Sequence, residues 1–176
     1  MSKALLLLSQ LDNDDLDWLV KVARKKVLQP DEVLIYENSQ INALYIVLSG
    51  TFRVLLKALN DEELARIYVG EVIGEISYII PRPTIATVQA IETSEVLDIP
   101  RLELTSRLQW NTGFAARFYR FTSMCLAERM HNTVRRLGEN IDLQEIALQE
   151  QGVENSLEDA LKLAEVKFDW LINNAL

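Results

Sequence analysis

Gly70-Glu71-Val72-Ile73-Gly74-Glu75-Ile76-Ser77-Tyr78-Ile79-Ile80, followed by Pro81-Arg82-Pro83-Thr84-Ile85-Ala86-Thr87-Val88, is the stretch that decides the fold of this 176-residue chain. An extended segment ends in a tight glycine turn and passes into one short apolar helix over residues 76–80. Pro81 and Pro83 stop that helix before a new strand begins. A helix start beside a glycine gathers free backbone amides that no side chain covers, which suits an anion. Glu75 at that mouth can accept hydrogen bonds from hydroxyl groups, and Arg82 can meet a phosphate.

Working outward, short β-rich runs recur at 33–36, 44–48, 51–56, 65–69, 85–90 and 94–99, each bounded by Gly, Pro, Asn or Asp. Strands so short and so regularly spaced predict a sandwich or a small rolled barrel. Asn60-Asp61 predicts a turn joining two of them. Ahead of the strands, Leu16, Leu19, Val20 and Ala23 recur at helical spacing behind the capping candidates Asp12 and Asn13, and Pro30 ends that region. After Pro100 the pattern turns helical again, with a short helix over 102–108 and a long one over 112–137 that stops at Gly138. On the long helix Phe114, Phe118, Phe121 and Cys125 form one apolar stripe, which Leu126, Met130, Val134 and Leu137 continue after a shift. That is more apolar surface than one barrel face needs, and it predicts a partner or dimer contact through Phe114, Phe118, Phe121, Leu126, Met130 and Val134. Ser156 with Asp159 predicts the start of a last helix, whose Leu157, Leu161, Ala164, Phe168 and Leu171 make a packing seam.

Taken together, these elements resemble the cyclic-nucleotide-binding family, which includes the catabolite activator protein and the regulatory subunits of protein kinase A. The resemblance runs from about Leu8 to Leu137, and residues 70–88 are similar to the family's phosphate-binding cassette. Leu44-Tyr45-Ile46-Val47-Leu48-Ser49-Gly50 looks like its strand-to-glycine turn, and Gln29-Pro30-Asp31-Glu32 and Tyr36-Glu37-Asn38 look like its two earlier turns. Where the family usually has glycine this chain has Asp31 and Asn38, two residue types that tolerate positive φ. The resemblance implies a ligand site drawn from Gly74, Glu75, Ile76, Ser77, Arg82, Thr84 and Thr87, with Glu75 on a ribose and Arg82 on the phosphate of cyclic AMP or cyclic GMP. In the commonest pattern the phosphate-binding arginine lies three residues before the threonine of the closing Ala-Thr-Val, and here that position is Thr84. Arg82 sits two residues earlier, on the same side of an extended segment and roughly 6 to 7 Å away. A bacterial subclass of similar proteins places its arginine there. Ile79, Ile80 and Ile85 make the stretch greasy, and a site filled by side chains is the alternative.

Composition narrows the function further. Net charge is −8, and residues 139–176 hold nine acidic side chains against Lys162 and Lys167, so the first 138 residues carry only −1. A segment that acidic repels a phosphate backbone, which argues against nucleic acid as a partner. In the family's transcription factors a basic DNA-reading domain follows the long helix; the acidic end of this chain is unlike it. Arg117, Arg120, Arg129, Arg135 and Arg136 on the long helix form instead a candidate cradle for the acidic helix. The one histidine, His131, has no Cys or carboxylate at ligand spacing, so no metal is expected. Cys125 lies in an apolar stripe, as a buried structural thiol does, and no nucleophile is paired with a base, so no enzyme is expected. A single cysteine and the lack of a long apolar run point to a cytoplasmic protein without a membrane span.

The expected architecture is therefore α+β: a β-roll like a double-stranded jelly-roll barrel, N-terminal helices, a long C-terminal helix and an extra acidic one. The expected domains are 1–138, cyclic-nucleotide-binding-like, and 139–176, an acidic helical extension. The expected function is a non-catalytic regulatory module that needs no cofactor, senses a cyclic nucleotide and relays it to a protein partner or a second copy. The alternative is an adaptor that kept the fold and lost the ligand.

Overall fold

Two four-stranded antiparallel sheets face each other across one core, and one of them meets a layer of helices across another. The computed structural model describes residues 3–60, 62–137 and 151–175. In chain order these form helices α1 (Lys3–Gln10) and α2 (Asn13–Val22), then strands β1 (Arg24–Leu28), β2 (Val33–Ile35), β3 (Ala43–Ser49), β4 (Phe52–Leu56), β5 (Glu62–Ile67), β6 (Val72–Ile73), β7 (Thr87–Ala90) and β8 (Ser94–Pro100). Helices α3 (Arg101–Trp110), α4 (Thr112–Leu137) and α5 (Gln151–Asn174) follow. The first sheet runs β1-β8-β3-β6 and the second β2-β7-β4-β5.

Side-chain alternation on β3 explains the arrangement. Its odd residues Ala43, Tyr45 and Val47 point into the barrel with Phe52, Val88 and Val96, while its even residues Leu44, Ile46 and Leu48 meet the helices. β8 divides in the same way, with Val96 inward and Leu97 and Ile99 toward the helices. The helix layer supplies Leu7, Leu8 and Leu19, and Phe114, Phe118 and Phe121 of α4, all 2% exposed or less.

The expected α+β roll and its flanking helices are present, with α4 spanning the anticipated residues. Asp31 and Asn38 take positive φ, at 66° and 59°, as their place in the two early turns requires. Asn60 does the same at 55°, closing a short 3-10 turn ahead of β5. Other expectations are corrected. The roll begins at β1, not at Val33: Arg24, Lys25 and Lys26 disguise an edge strand, and charge on an edge is what keeps such a strand from pairing with another chain. The two-residue β6 is too short to have a sequence pattern. The helix of the glycine turn is a 3-10 turn over Glu75–Tyr78 rather than a helix over 76–80. α5 is already helical at Gln151, so Ser156 lies inside it and does not start it. The domain division at 138 falls beside residues 139–150, outside the described residues.

The long-helix stripe is also divided. Phe114, Phe118, Phe121 and Cys125 are fully buried core and offer nothing to a partner, because α1, α2 and the sheet already cover that face. Leu126 and Met130 are exposed, and the side chain of Val134 lies outside the described residues. The arginine cradle is corrected at Arg117. Arg117 serves α2: its Nε donates to Asp15 Oδ2 at 2.7 Å, and it pairs with Asp12 at 2.8 Å. The side chains of Arg129, Arg135 and Arg136 lie outside the described residues. α5 packs its Ala164 and Leu171 seam on α1 within the helical core.

Asp15 ties the helix layer together. It is fully buried, shares a reciprocal capping box with Asp12, and receives Arg117 from α4 and Arg107 from α3, the latter at 3.4 Å. Burial alone would raise its pKa, but the arginines and the backbone N–H outweigh that and hold it below the usual carboxylate value of 3.8. A depressed pKa contributes stability that is fully present above the unfolded value and is lost as pH falls through the folded one. Asp15→Asn should therefore cost about 3 kcal/mol, the low end for breaking a buried pair, since both arginines still reach solvent. Urea melts from pH 7 to 3 should show the variant losing less stability than the wild type below about pH 4.

Candidate functional site

Gly74 sets the geometry of the site. Its φ of 100° lies in the region that side chains avoid, and a Cβ there would stand 3.0 Å from the Ala43 carbonyl oxygen and 3.2 Å from Ile41 Cγ2. The chain leaves β6 through this residue and enters the 3-10 turn Glu75–Tyr78. Ser77 closes the turn: its N–H and its Oγ both donate to Gly74 O, at 3.2 and 2.7 Å. The Arg101 guanidinium, at the start of α3, donates to Ser77 Oγ at 2.8 Å and Ser77 O at 2.9 Å, and lies 4.6 Å over the Tyr78 ring. Tyr78 in turn meets Phe118 edge-on at 5.8 Å. Burial pushes its phenol well above the usual range, and its hydroxyl has no hydrogen-bond partner among the described residues.

Residues 71–77, residues 80 and 82–86, and the inner wall of the second sheet enclose a cavity of about 490 Å3. That falls within the usual span for a small-molecule pocket, roughly 300 to 1,000 Å3. Ile35, Val54, Ala65, Ile67 and Val88 form its apolar back, while Ile76 and Ile80, both about half exposed, stand at its front. The isoleucines narrow the site without filling it.

The structure brings Gly74, Glu75, Ile76, Ser77, Arg82 and Thr84 to this cavity; Thr87 is not on its wall. Glu75 is only 3% exposed. Arg82 is exposed at the rim and makes no side-chain hydrogen bond or ion pair among the described residues. Thr84 is engaged elsewhere: its hydroxyl donates to Tyr36 O at 2.5 Å and accepts from Ser39 N–H at 3.1 Å. Thr87 Oγ1 accepts from Glu37 N–H at 3.1 Å. Both threonines lock the end of the cassette to the turn after β2. Sequence reasoning missed Arg101, Lys3 and Glu71, the last two on the cavity wall and paired at 2.6 Å. Arg101 and Lys3 lie outside the motif, and only tertiary structure brings them to it.

Residues 25–110 match the family model described as a cyclic nucleotide-binding domain. The chain carries a domain of that family. It is similar to the potassium channel AKT1 of Oryza sativa subsp. indica, 26% identical over 125 residues, which are 70% of this chain and 13% of the channel. The chain thus corresponds to a small part of that relative. Among solved structures it is similar to a cyclic nucleotide-binding domain from Methylobacillus flagellatus KT, with TM-score 0.66 at 19% identity, covering 76% of this chain and 80% of that one. It is also similar to the Thermus thermophilus catabolite activator protein, with TM-score 0.60 at 23% identity, covering 75% and 61%. At such identities these structures show the fold.

Because only glycine fits at position 74, Gly74→Ala should cost about 1 to 3 kcal/mol. Thermal melts should register it at about 2 to 4 °C for each kcal/mol. A variant as stable as the wild type would mean that the turn does not need its positive φ.

Proposed function

We propose that the chain is a non-catalytic regulatory module that takes a cyclic nucleotide in the cavity and relays its occupancy to a protein partner or a second copy. One observation carries the reading: buried Glu75 and Arg82, whose side chain has no partner among the described residues, line one cavity. A cyclic phosphate bound at the rim gives Arg82 a charge-assisted bond, and a ribose hydroxyl beside the turn gives Glu75 a donor. The purine then lies against the apolar back of the second sheet. The family match over residues 25–110 supports the assignment. Exposed Leu126 and Met130 on α4, with Leu163, Val166 and Trp170 on α5, support a protein partner. Buried Cys125 is the chain's one cysteine, which suits a reducing, cytoplasmic setting. No helix among the described residues is long and apolar enough to cross a membrane.

The adaptor reading has its own support, because Thr84, at the position of the usual arginine, is bound into the turn after β2 and offers a phosphate no charge. Calorimetry of the full chain with cyclic AMP and cyclic GMP separates the two. Binding is expected, and Arg82→Ala should weaken it by about 1.5 to 3 kcal/mol, the range for a hydrogen bond to a charged group. No heat from either nucleotide at millimolar concentration would remove the sensor and leave the adaptor.

A further inference from the structure

Helix α1 has only eight residues, and a helix that short is marginal in water on its own. Its two ends are held by different parts of the molecule. At the start, the Ala4 N–H, which has no partner within the helix, donates to Gly70 O at 2.8 Å, and Lys3 Nζ meets Glu71 Oε2 at 2.6 Å. Gly70 and Glu71 lead directly into the cassette, and Lys3 and Glu71 both line the cavity. At the other end, Lys167 of α5 donates to Leu8 O at 3.1 Å and to Leu11 O at 2.6 Å, satisfying carbonyls that the end of a helix leaves open. Ala164 and Leu171, both fully buried, seat α5 on α1. Lys167 is half-buried, and that burial lowers its pKa against the opposing pull of Asp12 and Asp15.

We propose that Lys3 is a further ligand-binding residue of the cavity and that α1 couples occupancy of the cavity to the docking of α5. The proposal rests on the cyclic-nucleotide reading for its ligand. An anion entering beside Lys3 gives the ammonium a second acceptor and holds the start of α1 more firmly against the cavity wall. At about 1.5 Å per residue, α1 carries that constraint roughly 10 Å to the carbonyls that Lys167 caps. Since neither end is stable without its tertiary partner, firming one end firms the other. Linkage makes the effect reciprocal: a ligand that favours docked α5 binds less well when docking is weakened.

Lys167→Met tests this, since it keeps the apolar stem and removes the donors. Backbone amide exchange by NMR and calorimetry with cyclic AMP and cyclic GMP are measured on the full chain. Expected are faster exchange of the α5 amides, faster exchange of the Ala4 amide at the far end of α1, and nucleotide affinity about fivefold or more weaker. Lys3→Met should weaken affinity and speed exchange in α5. Unchanged α5 protection in Lys167→Met would overturn the proposal, as would faster α5 exchange with Ala4 exchange and affinity as in the wild type. If the wild type binds neither nucleotide, the ligand reading fails separately. The coupling through α1 is then decided by Ala4 alone: acceleration upholds it, and no change overturns it.

Discussion

A strand buried on both faces must satisfy two cores at once, and β3 is that strand. Its alternation is fixed by the two-residue repeat, so a slip of one residue in register would exchange the residues of the barrel with those of the helix layer. The pairs Leu44↔Ile99 and Ile46↔Leu97 on one face and Tyr45↔Asp98 and Val47↔Val96 on the other hold the register against β8. The cassette hangs from the opposite edge of β3. There Val47 N–H donates to Glu71 O at 3.0 Å, Gly70 N–H donates to Val47 O at 2.9 Å, and β6 pairs through Tyr45↔Ile73 and Ile46↔Val72. The cassette is positioned by the same strand that divides the cores.

A second consequence is that the cassette touches the helix layer directly. Arg101 follows β8 without a gap and binds Ser77, and Tyr78 leaves the turn to lie against Phe118 on α4. Beyond that link from α3, the cassette is attached at two more places to helices: through Tyr78 to α4, and through Lys3 and Gly70 to α1. The first attachment is aromatic and tolerant of small shifts, because an edge-on ring contact is broad in geometry. The second is made of a hydrogen bond and an ion pair with narrow distance limits, which makes α1 the stiffer of the two connections.

How much was legible follows from how local each signal was. Asp31 and Asn38 could be placed in left-handed turns because they stand where the resembling family has glycine and are residue types that accept that conformation. The glycine turn was legible for the same reason, and the span of α4 from a stripe of aromatics bounded by Thr112 and Gly138. β1 was not, because its three cations signal solvent, and what makes it a strand is the neighbouring β8. Nor was the fate of Arg117. Five arginines on one helix invited an acidic partner, and the sequence contains an acidic helix. The structure gives Arg117 to Asp15 instead, 102 positions away, where a fully buried carboxylate has far more to gain from a guanidinium than exposed acids do.

The missing arginine is the place where pattern and physics diverge most usefully. Read as a pattern, Thr84 is a loss. In the structure its hydroxyl and backbone make four contacts that join the cassette's end to the turn at Tyr36 and Ser39: Oγ1 to Tyr36 O, Ser39 N to Oγ1, Thr84 N to Ser39 O, and Asn38 N to Thr84 O. An arginine there would have to give up the hydroxyl bonds that tie the cassette to this turn, leaving Tyr36 O only the bonds from Ser39 within the turn itself. Pro81 and Pro83 flank Arg82 and restrict the backbone on both sides, so its side chain leaves from a stiff segment without such duties. A long guanidinium on a stiff base suits an anion that arrives from solvent, because less freedom remains to be lost when it binds. On the proposed function, the threonine fixes the loop and leaves the phosphate to the arginine, dividing between two residues what the commoner pattern asks of one.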